Sequence, residues 1–228
     1  DGDNDLIQTD IPASELLGLD GLSIAVRFKW MGEDSDGGPQ EQGILSNARS
    51  GNSQLDFGID FEWPEGDRRL SLAWADMSTL DLNGMQYSLL DSVAIEPGVW
   101  YDVVVTLSTN LVKWYLDGEL VEQDLVVFSE LGQESDEVPS LRLGKANEIY
   151  DTHFNGVLDD LQFFTRTLTF EEAEGVFSCD ANLDATGLIG HWSFDEGRGV
   201  EALDASPLGN DGNVVGAQFI PAPPASVC

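Results

Sequence analysis

The chain has 228 residues, of which 42% are hydrophobic, and its ten Lys plus Arg against 42 Asp plus Glu give a formal net charge of −32. This charge argues against nucleic-acid binding, which needs cations to neutralise phosphates, and against docking on an anionic membrane. No run of 18 apolar residues occurs, so we expect no membrane insertion, and the acidic first residues do not form a signal peptide.

Alternating apolar and polar residues predict a succession of short strands. In chain order they fall at residues 23–30, 54–62, 69–75, 85–90, 100–108, 113–116, 119–123, 141–144 and 156–164. Asp117 and Gly118 predict a two-residue hairpin turn. Thr169 predicts the cap of one short helix over residues 169–177. The sequence therefore predicts an all-β fold, a two-sheet antiparallel β-sandwich, with one short helix.

The tryptophans divide by their surroundings. Those in alternating segments are expected in the core: Trp30, Trp100, Trp114 and Trp192, with Trp74 intermediate. Trp63 precedes Pro64 and Gly66 at a predicted hairpin tip, where its ring could stack on a sugar.

Cys179 and Cys228 each lie just outside an apolar segment and fit one disulfide. A bridge there would close a loop of about 50 residues, worth roughly 4 kcal/mol in the chain-entropy account. Together with the acidic composition, it predicts a secreted protein, extracellular or at the cell surface.

Several segments resemble the laminin-G-like, or concanavalin A-like, jelly-roll modules. Residues 100–123 (WYDVVVTLSTNLVKWYLDGELVEQ) are similar to the central hairpin of that family, and residues 154–176 to its closing motif. DGDND at the start resembles the turn of the family's second strand, and residues 187–212 its first strand and following loop. The resemblance implies a concanavalin A-like jelly roll.

The order of these segments departs from the family. The expected first strand comes last, so either the domain is circularly permuted or residues 187–219 begin the next repeat of an array. So short a piece could not bury its apolar face alone, which favours folding back. We therefore expect a single domain over residues 1–228, with a strand at residues 188–194 inside the sandwich.

The resemblance also implies calcium. In laminin-G-like and pentraxin-like modules a structural calcium lies near the DGDND turn and an acidic pair, which predicts Asp3, Asp5 and Asp159 as ligands. The loop with Asn147, Glu148 and Asp151 occupies the place of the pentraxin calcium loop and is a second candidate. The alternative for each is a solvated turn or loop. Asp204, Asn210 and Asp211 are instead expected to build a turn.

Enzyme signatures are weak. Asp60 and Glu62 share one strand face, but the glucanase pattern Glu-x-Asp-x-x-Glu fails because position 58 is Gly. No nucleophile elbow, phosphate loop or zinc cluster occurs. We assign no catalytic residue and take Asp60, with Trp63, as candidate ligand-binding residues.

The sequence thus predicts a calcium-stabilised, non-enzymatic binding or adhesion module for a glycan or a cell-surface protein. The alternatives are a structural spacer in a large surface protein and a jelly-roll glycoside hydrolase.

Overall fold

The computed structural model of the chain describes residues 5–33, 41–47, 55–61, 68–75, 85–132, 140–146, 153–178 and 183–221. The strands in these ranges are β1 (Leu6–Thr9), β2 (Leu22–Trp30), β3 (Gln42–Ser46), β4 (Leu55–Phe61), β5 (Arg68–Ala75), β6 (Met85–Leu89), β7 (Trp100–Ser108), β8 (Leu111–Leu116), β9 (Glu119–Leu125), β10 (Arg142–Leu143), β11 (Gly156–Phe164), β12 (Leu188–Trp192), β13 (Glu201–Ala202) and β14 (Gly212–Val215). A 3₁₀ helix spans Ala13–Leu16, and the α-helix α1 spans Phe170–Gly175.

The strands form two antiparallel sheets, as expected for a β-sandwich. The large sheet has the order β13-β14-β1-β10-β3-β4-β5-β6, and the small sheet has the order β12-β11-β2-β7-β8-β9. The predicted all-β jelly-roll class is confirmed. In the described part of the chain, no helix has the length and apolarity needed to cross a membrane.

Side-chain alternation builds the core between the sheets. On β2, Ile24, Val26 and Phe28 are fully buried, and on β4 the side chains of Leu55 and Phe57 are too. These positions share one face of each strand, as the period of two requires. The predicted core faces of both strands are therefore confirmed.

The burial of two tryptophans differs from the sequence prediction. Trp100 is only half-buried, because its ring lies against the Lys29 ammonium, 5.2 Å from the ring centroid, instead of facing the core. Trp74 is fully buried and its ring packs edge-on against Phe128. Trp30, Trp114 and Trp192 lie in the core as predicted, with exposures of 4% or less.

The predicted hairpin and helix both form. Asp117 and Gly118 have φ of 50° and 81°, as the two-residue turn between β8 and β9 requires. Thr169 caps α1 through a capping box, in which its hydroxyl accepts from Glu172 N and its N–H donates to the Glu172 carboxylate. The helix buries Ala173 against Tyr115 and Phe164 and so covers part of the small sheet's outer face.

The C-terminal segment forms strands in both sheets. Within the predicted strand at residues 188–194, β12 runs from Leu188 to Trp192 and pairs with β11. β14 pairs with β1, and β13 pairs with β14. Strand β1, near the start of the chain, and strand β14, near its end, thus lie side by side in the large sheet. That this segment replaces the family's N-terminal strands in a single domain stays a prediction.

Candidate functional site

A cavity of about 370 Å³ lies beside the paired strands β1 and β14. Its wall includes residues of β1, β10 and β14 in the large sheet and of β11 in the small sheet. Phe194, after β12, and residues 216–220, after β14, complete it. This volume lies in the range of small-molecule sites in proteins.

Strand pairing explains the position of the cavity. β12 pairs with β11 only between Leu161 and Phe164, and the chain turns away after Trp192. Residues 156–160 of β11 therefore have β2 as a neighbour on one side and no named strand on the other, within the described residues. An unpaired strand edge with its backbone groups lines this part of the wall.

The wall combines aromatic rings with two carboxyl groups. Phe154, Phe194 and Phe219 line the cavity together with Asp5 and Asp159. Phe154 is fixed from behind by an edge-on contact with Phe28, at 6.0 Å between ring centroids. Aromatic rings offer apolar faces, and ionised carboxylates accept hydrogen bonds from hydroxyl groups. The wall therefore suits a ligand with an apolar face and a rim of hydroxyls.

A β-bulge shapes the acidic side. The register between β11 and β2 shifts between Asp159 and Gln162, and Asp160 has a φ of 46°. The bulge turns the Asp160 carboxylate towards β12, where Oδ1 lies 2.7 Å from His191 Nε2. Phe194 also has a left-handed φ, 59°. Left-handed backbone at residues other than glycine often marks functional sites.

Carboxylates crowd Asp159. Burial raises the pKa of this side chain to about 6, and the neighbouring Asp160 and Asp195 add to the effect. Arg27 opposes it only in part, because its guanidinium donates to both oxygens of Asp102 at 2.6 and 2.7 Å. The cavity therefore has an electronegative side.

The predicted calcium ligands meet here only in part. Asp5 and Asp159 line the same cavity, whereas Asp3, Asn147, Glu148 and Asp151 lie outside the described residues. Calcium takes six to eight oxygen ligands, so these two carboxylates could supply only part of a site. Within the described ranges, no group of three or more His, Cys, Asp or Glu side chains is arranged to hold a metal ion. The donor chemistry fits calcium, but the described donor set is incomplete.

Asp60 lies elsewhere, in an acid cluster that we define as Glu41, Asp56 and Asp60. Asp56 and Asp60 belong to the face of β4 opposite Phe57, and therefore to the outer face of the large sheet. Gly58 lies between them and pairs with Gly43 of β3. The backbone at Ala146 passes so close to Gly43 that a Cβ there would lie 2.2 Å from Ala146 N.

Two members of the acid cluster, Glu41 and Asp56, have raised pKa values. Burial and the nearby Asp60 raise the pKa of Glu41 to about 7. Burial and Glu41 raise the pKa of Asp56 well above its usual range, and Asp56 is only 4% exposed. The cluster is distinct from the cavity, and Asp60 does not line the cavity wall. Trp63, the other predicted ligand-binding residue, lies outside the described residues.

The sequence analysis did not identify several residues of the cavity and of the acid cluster. Phe154 and Phe194 stood in segments recognised as motifs, but nothing in those motifs marked their rings as part of a wall. Phe219 follows the last strand and had no periodic signal. Asp56 lies on the same strand face as Asp60 and could have been predicted from the alternation. The proximity of Glu41 to Asp56 depends on the tertiary fold.

The remaining predictions have separate outcomes. Asp204 builds a turn, as expected, because its carboxylate accepts from the N–H groups of His191, Ser206 and Asn210 at 2.6–2.8 Å. Cys179 and Cys228 lie outside the described residues, and their disulfide stays a prediction.

Solved structures with a similar fold were found. A protein of Bacteroides ovatus proposed to bind carbohydrate superposes with a TM-score of 0.67 at 15% identity, over 94% of this chain and 57% of its own. The present chain thus spans just over half the length of that protein. The IT-sialidase CBM40 of Ruminococcus gnavus, bound to α2,3-sialyllactose, has a TM-score of 0.48 at 14% identity, over 70% of this chain and 83% of its own.

The family comparison covers most of the sequence. The Laminin_G_3 model, described as the concanavalin A-like lectin/glucanases superfamily, matches residues 1–174. The matched part ends before β12, so the strands that close the cavity from the C-terminal side lie outside it. By this match, and in agreement with its two-sheet sandwich, the chain belongs to the concanavalin A-like lectin/glucanase superfamily.

Proposed function

We propose that this protein is a carbohydrate-binding module that holds its ligand in the cavity beside β1 and β14. The observation that carries the proposal is the wall itself, in which three phenylalanine rings lie with the carboxyl groups of Asp5 and Asp159. A sugar ring has an apolar face for the rings and hydroxyls for the carboxylates. The likeness to the Bacteroides ovatus protein supports the same ligand class.

A glycan array tests this function directly. The full chain, labelled at its N-terminus, is applied to immobilised oligosaccharides in calcium-containing buffer at neutral pH. We expect concentration-dependent binding to a defined subset of glycans. If no glycan is bound, the protein is a spacer or a module for a protein partner at the cell surface, and the carbohydrate proposal is wrong.

The module binds without hydrolysing its ligand. Support comes from the sequence, in which the glucanase pattern Glu-x-Asp-x-x-Glu fails because position 58 is Gly. Chromatography of each bound oligosaccharide after prolonged incubation should return it unchanged. Release of shorter sugars would favour the glycoside hydrolase alternative.

Calcium stabilises the folded module. Asp5 and Asp159 would supply carboxylate oxygens at the cavity, and the cation would relieve the repulsion among Asp159, Asp160 and Asp195. A ligand that binds only the folded state raises stability by mass action, by about 2.7 kcal/mol at 100 times its Kd. We therefore expect a chelator to lower the melting temperature by several degrees, and added calcium, but not added sodium at equal ionic strength, to restore it. Unchanged melting after complete chelation would contradict the calcium proposal.

The proposed setting is extracellular. The acidic surface and the predicted Cys179–Cys228 disulfide both support an oxidising compartment. Mass spectrometry of the oxidised protein should show a linked peptide containing both cysteines, and two alkylated thiols under non-reducing conditions would count against it.

A further inference from the structure

We propose that the cavity, with no cation bound, accepts uncharged, hydroxyl-rich sugars and excludes sugars that carry a carboxylate or sulfate group. This selectivity rests on the proposed carbohydrate-binding function and assigns the ligand class of the same cavity. It follows from the charges that line the cavity, from those that surround it and from the ion pairs that the basic side chains form.

The charges on the wall are of one sign. Among the described residues that line the cavity, Asp5 and Asp159 are the ionisable ones, and none is Lys, Arg or His. Recognition of an anionic sugar group usually employs the guanidinium or ammonium group that this wall lacks in its described part. An ionised carboxylate only accepts hydrogen bonds, so it matches a neutral hydroxyl, which can donate one, and repels a second anion.

Acidic side chains around the cavity wall add to its negative charge. Asp160, Asp195 and Asp102 are close enough to Asp159 to disfavour its ionisation. Arg27 lies opposite Asp159 on β2, but its guanidinium donates to both carboxylate oxygens of Asp102 on β7. The imidazole of His191 is bonded to Asp160. An anionic ligand group entering beside Asp159 would therefore meet an excess of carboxylates.

The whole chain offers few cations that could compensate. Its ten basic residues face 42 acidic ones, and all ten except Arg49 lie in the described part. Three that do not line the cavity are ion-paired: Arg68 with Glu33, Arg69 with Asp91, and Arg166 with Glu172. A surface of this charge repels anions before contact, at low salt most strongly.

The test uses matched pairs of glycans. The array carries each neutral oligosaccharide beside versions of the same core that bear sialic acid, a uronic acid or sulfate, and the full chain is applied in calcium-free buffer, because a cation held by Asp5 and Asp159 would offset the charge of the wall. We expect the anionic version of each bound core to bind at least about tenfold more weakly, as repulsion across a few ångström near a protein surface implies. Equal or tighter binding of the anionic versions would overturn the selectivity and leave the carbohydrate function standing, whereas no binding to any glycan would remove both.

A charge-removing substitution assigns the effect to the cavity. Asp159→Asn keeps the side-chain shape, and we expect it to narrow the ratio between neutral and anionic binding by at least about threefold. Asp91→Asn removes the same charge beside Arg69, away from the cavity wall, and should leave the ratio unchanged. A ratio that is the same in Asp159→Asn as in the parent, or that shifts equally in both variants, would contradict control by the cavity. Circular dichroism of both variants confirms that they remain folded.

Discussion

At the scale of single residues, the acid cluster gives the protein an unusual dependence on pH. Most folded proteins lower the pKa of their carboxyl groups, whereas here burial and mutual repulsion raise those of Glu41 and Asp56. A carboxyl group with a raised pKa binds protons more tightly in the folded state than in the unfolded state. Its stabilising contribution is therefore complete below the unfolded pKa and is lost as pH rises through the folded one.

We predict that the free energy of unfolding falls between about pH 4.5 and pH 7, the window set by Glu41. A rise of its pKa from 4.5 to about 7 corresponds to at most about 3 kcal/mol for this side chain. Urea unfolding at pH 5, 6, 7 and 8 measures the loss, and Glu41→Gln should reduce it, with the remainder due to the raised pKa values of Asp56 and Asp159. Glu119→Gln, an exposed carboxyl on β9, is the matched control because it removes the same formal charge. Parallel pH curves for Glu41→Gln and the parent would contradict this assignment.

At the scale of elements, regular strands were predictable and irregular ones were not. β2 alternates cleanly, and the predicted bounds of β2, β7 and β11 agree with the structure to within one residue. β3 escaped prediction because its five residues are all buried and so show no alternation. The bulge at Asp159 also left no mark in the sequence, because the extra residue exists only in relation to the register of β2.

The same reasoning explains how much of the site could be foreseen. Asp5 and Asp159 were found because a family resemblance attached them to a metal, and they do share one cavity. The phenylalanine wall could not be found, because it depends on where β12 stops pairing with β11 and on the path of residues 216–220. This cavity lies where strand pairing ends, whereas hydrophobic periodicity predicts only the paired strands.

The strand β12 allows a test of whether the C-terminal segment belongs to the main sandwich. Trp192 is fully buried, and its indole N–H donates to Asn210 O at 3.2 Å. We predict that Trp192→Ala lowers the free energy of unfolding of the whole domain by about 3–5 kcal/mol in a single transition. Trp100→Ala, the same change at a half-buried ring on the outer face, should cost clearly less. Two separate transitions in Trp192→Ala would instead indicate that residues 187–219 fold as an independent unit.

At the scale of the whole molecule, charge and topology converge on one place. Strands β1 and β14 pair, and the cavity beside them carries carboxylates on a protein that is already strongly acidic. The family match ends at residue 174, so the C-terminal half of the wall, with Phe194 and Phe219, comes from residues beyond it. We therefore expect ligand preference to depend on this added segment.

The most direct test is the affinity of one bound glycan for Phe219→Ala, measured by calorimetry against Phe170→Ala. Phe219 lines the cavity, whereas Phe170 is 42% exposed on α1 and packs near Tyr115. Loss of a stacking ring is worth about tenfold in affinity. The proposed site predicts about tenfold weaker binding by Phe219→Ala and unchanged binding by Phe170→Ala. Full affinity in Phe219→Ala would place the glycan elsewhere and contradict the account.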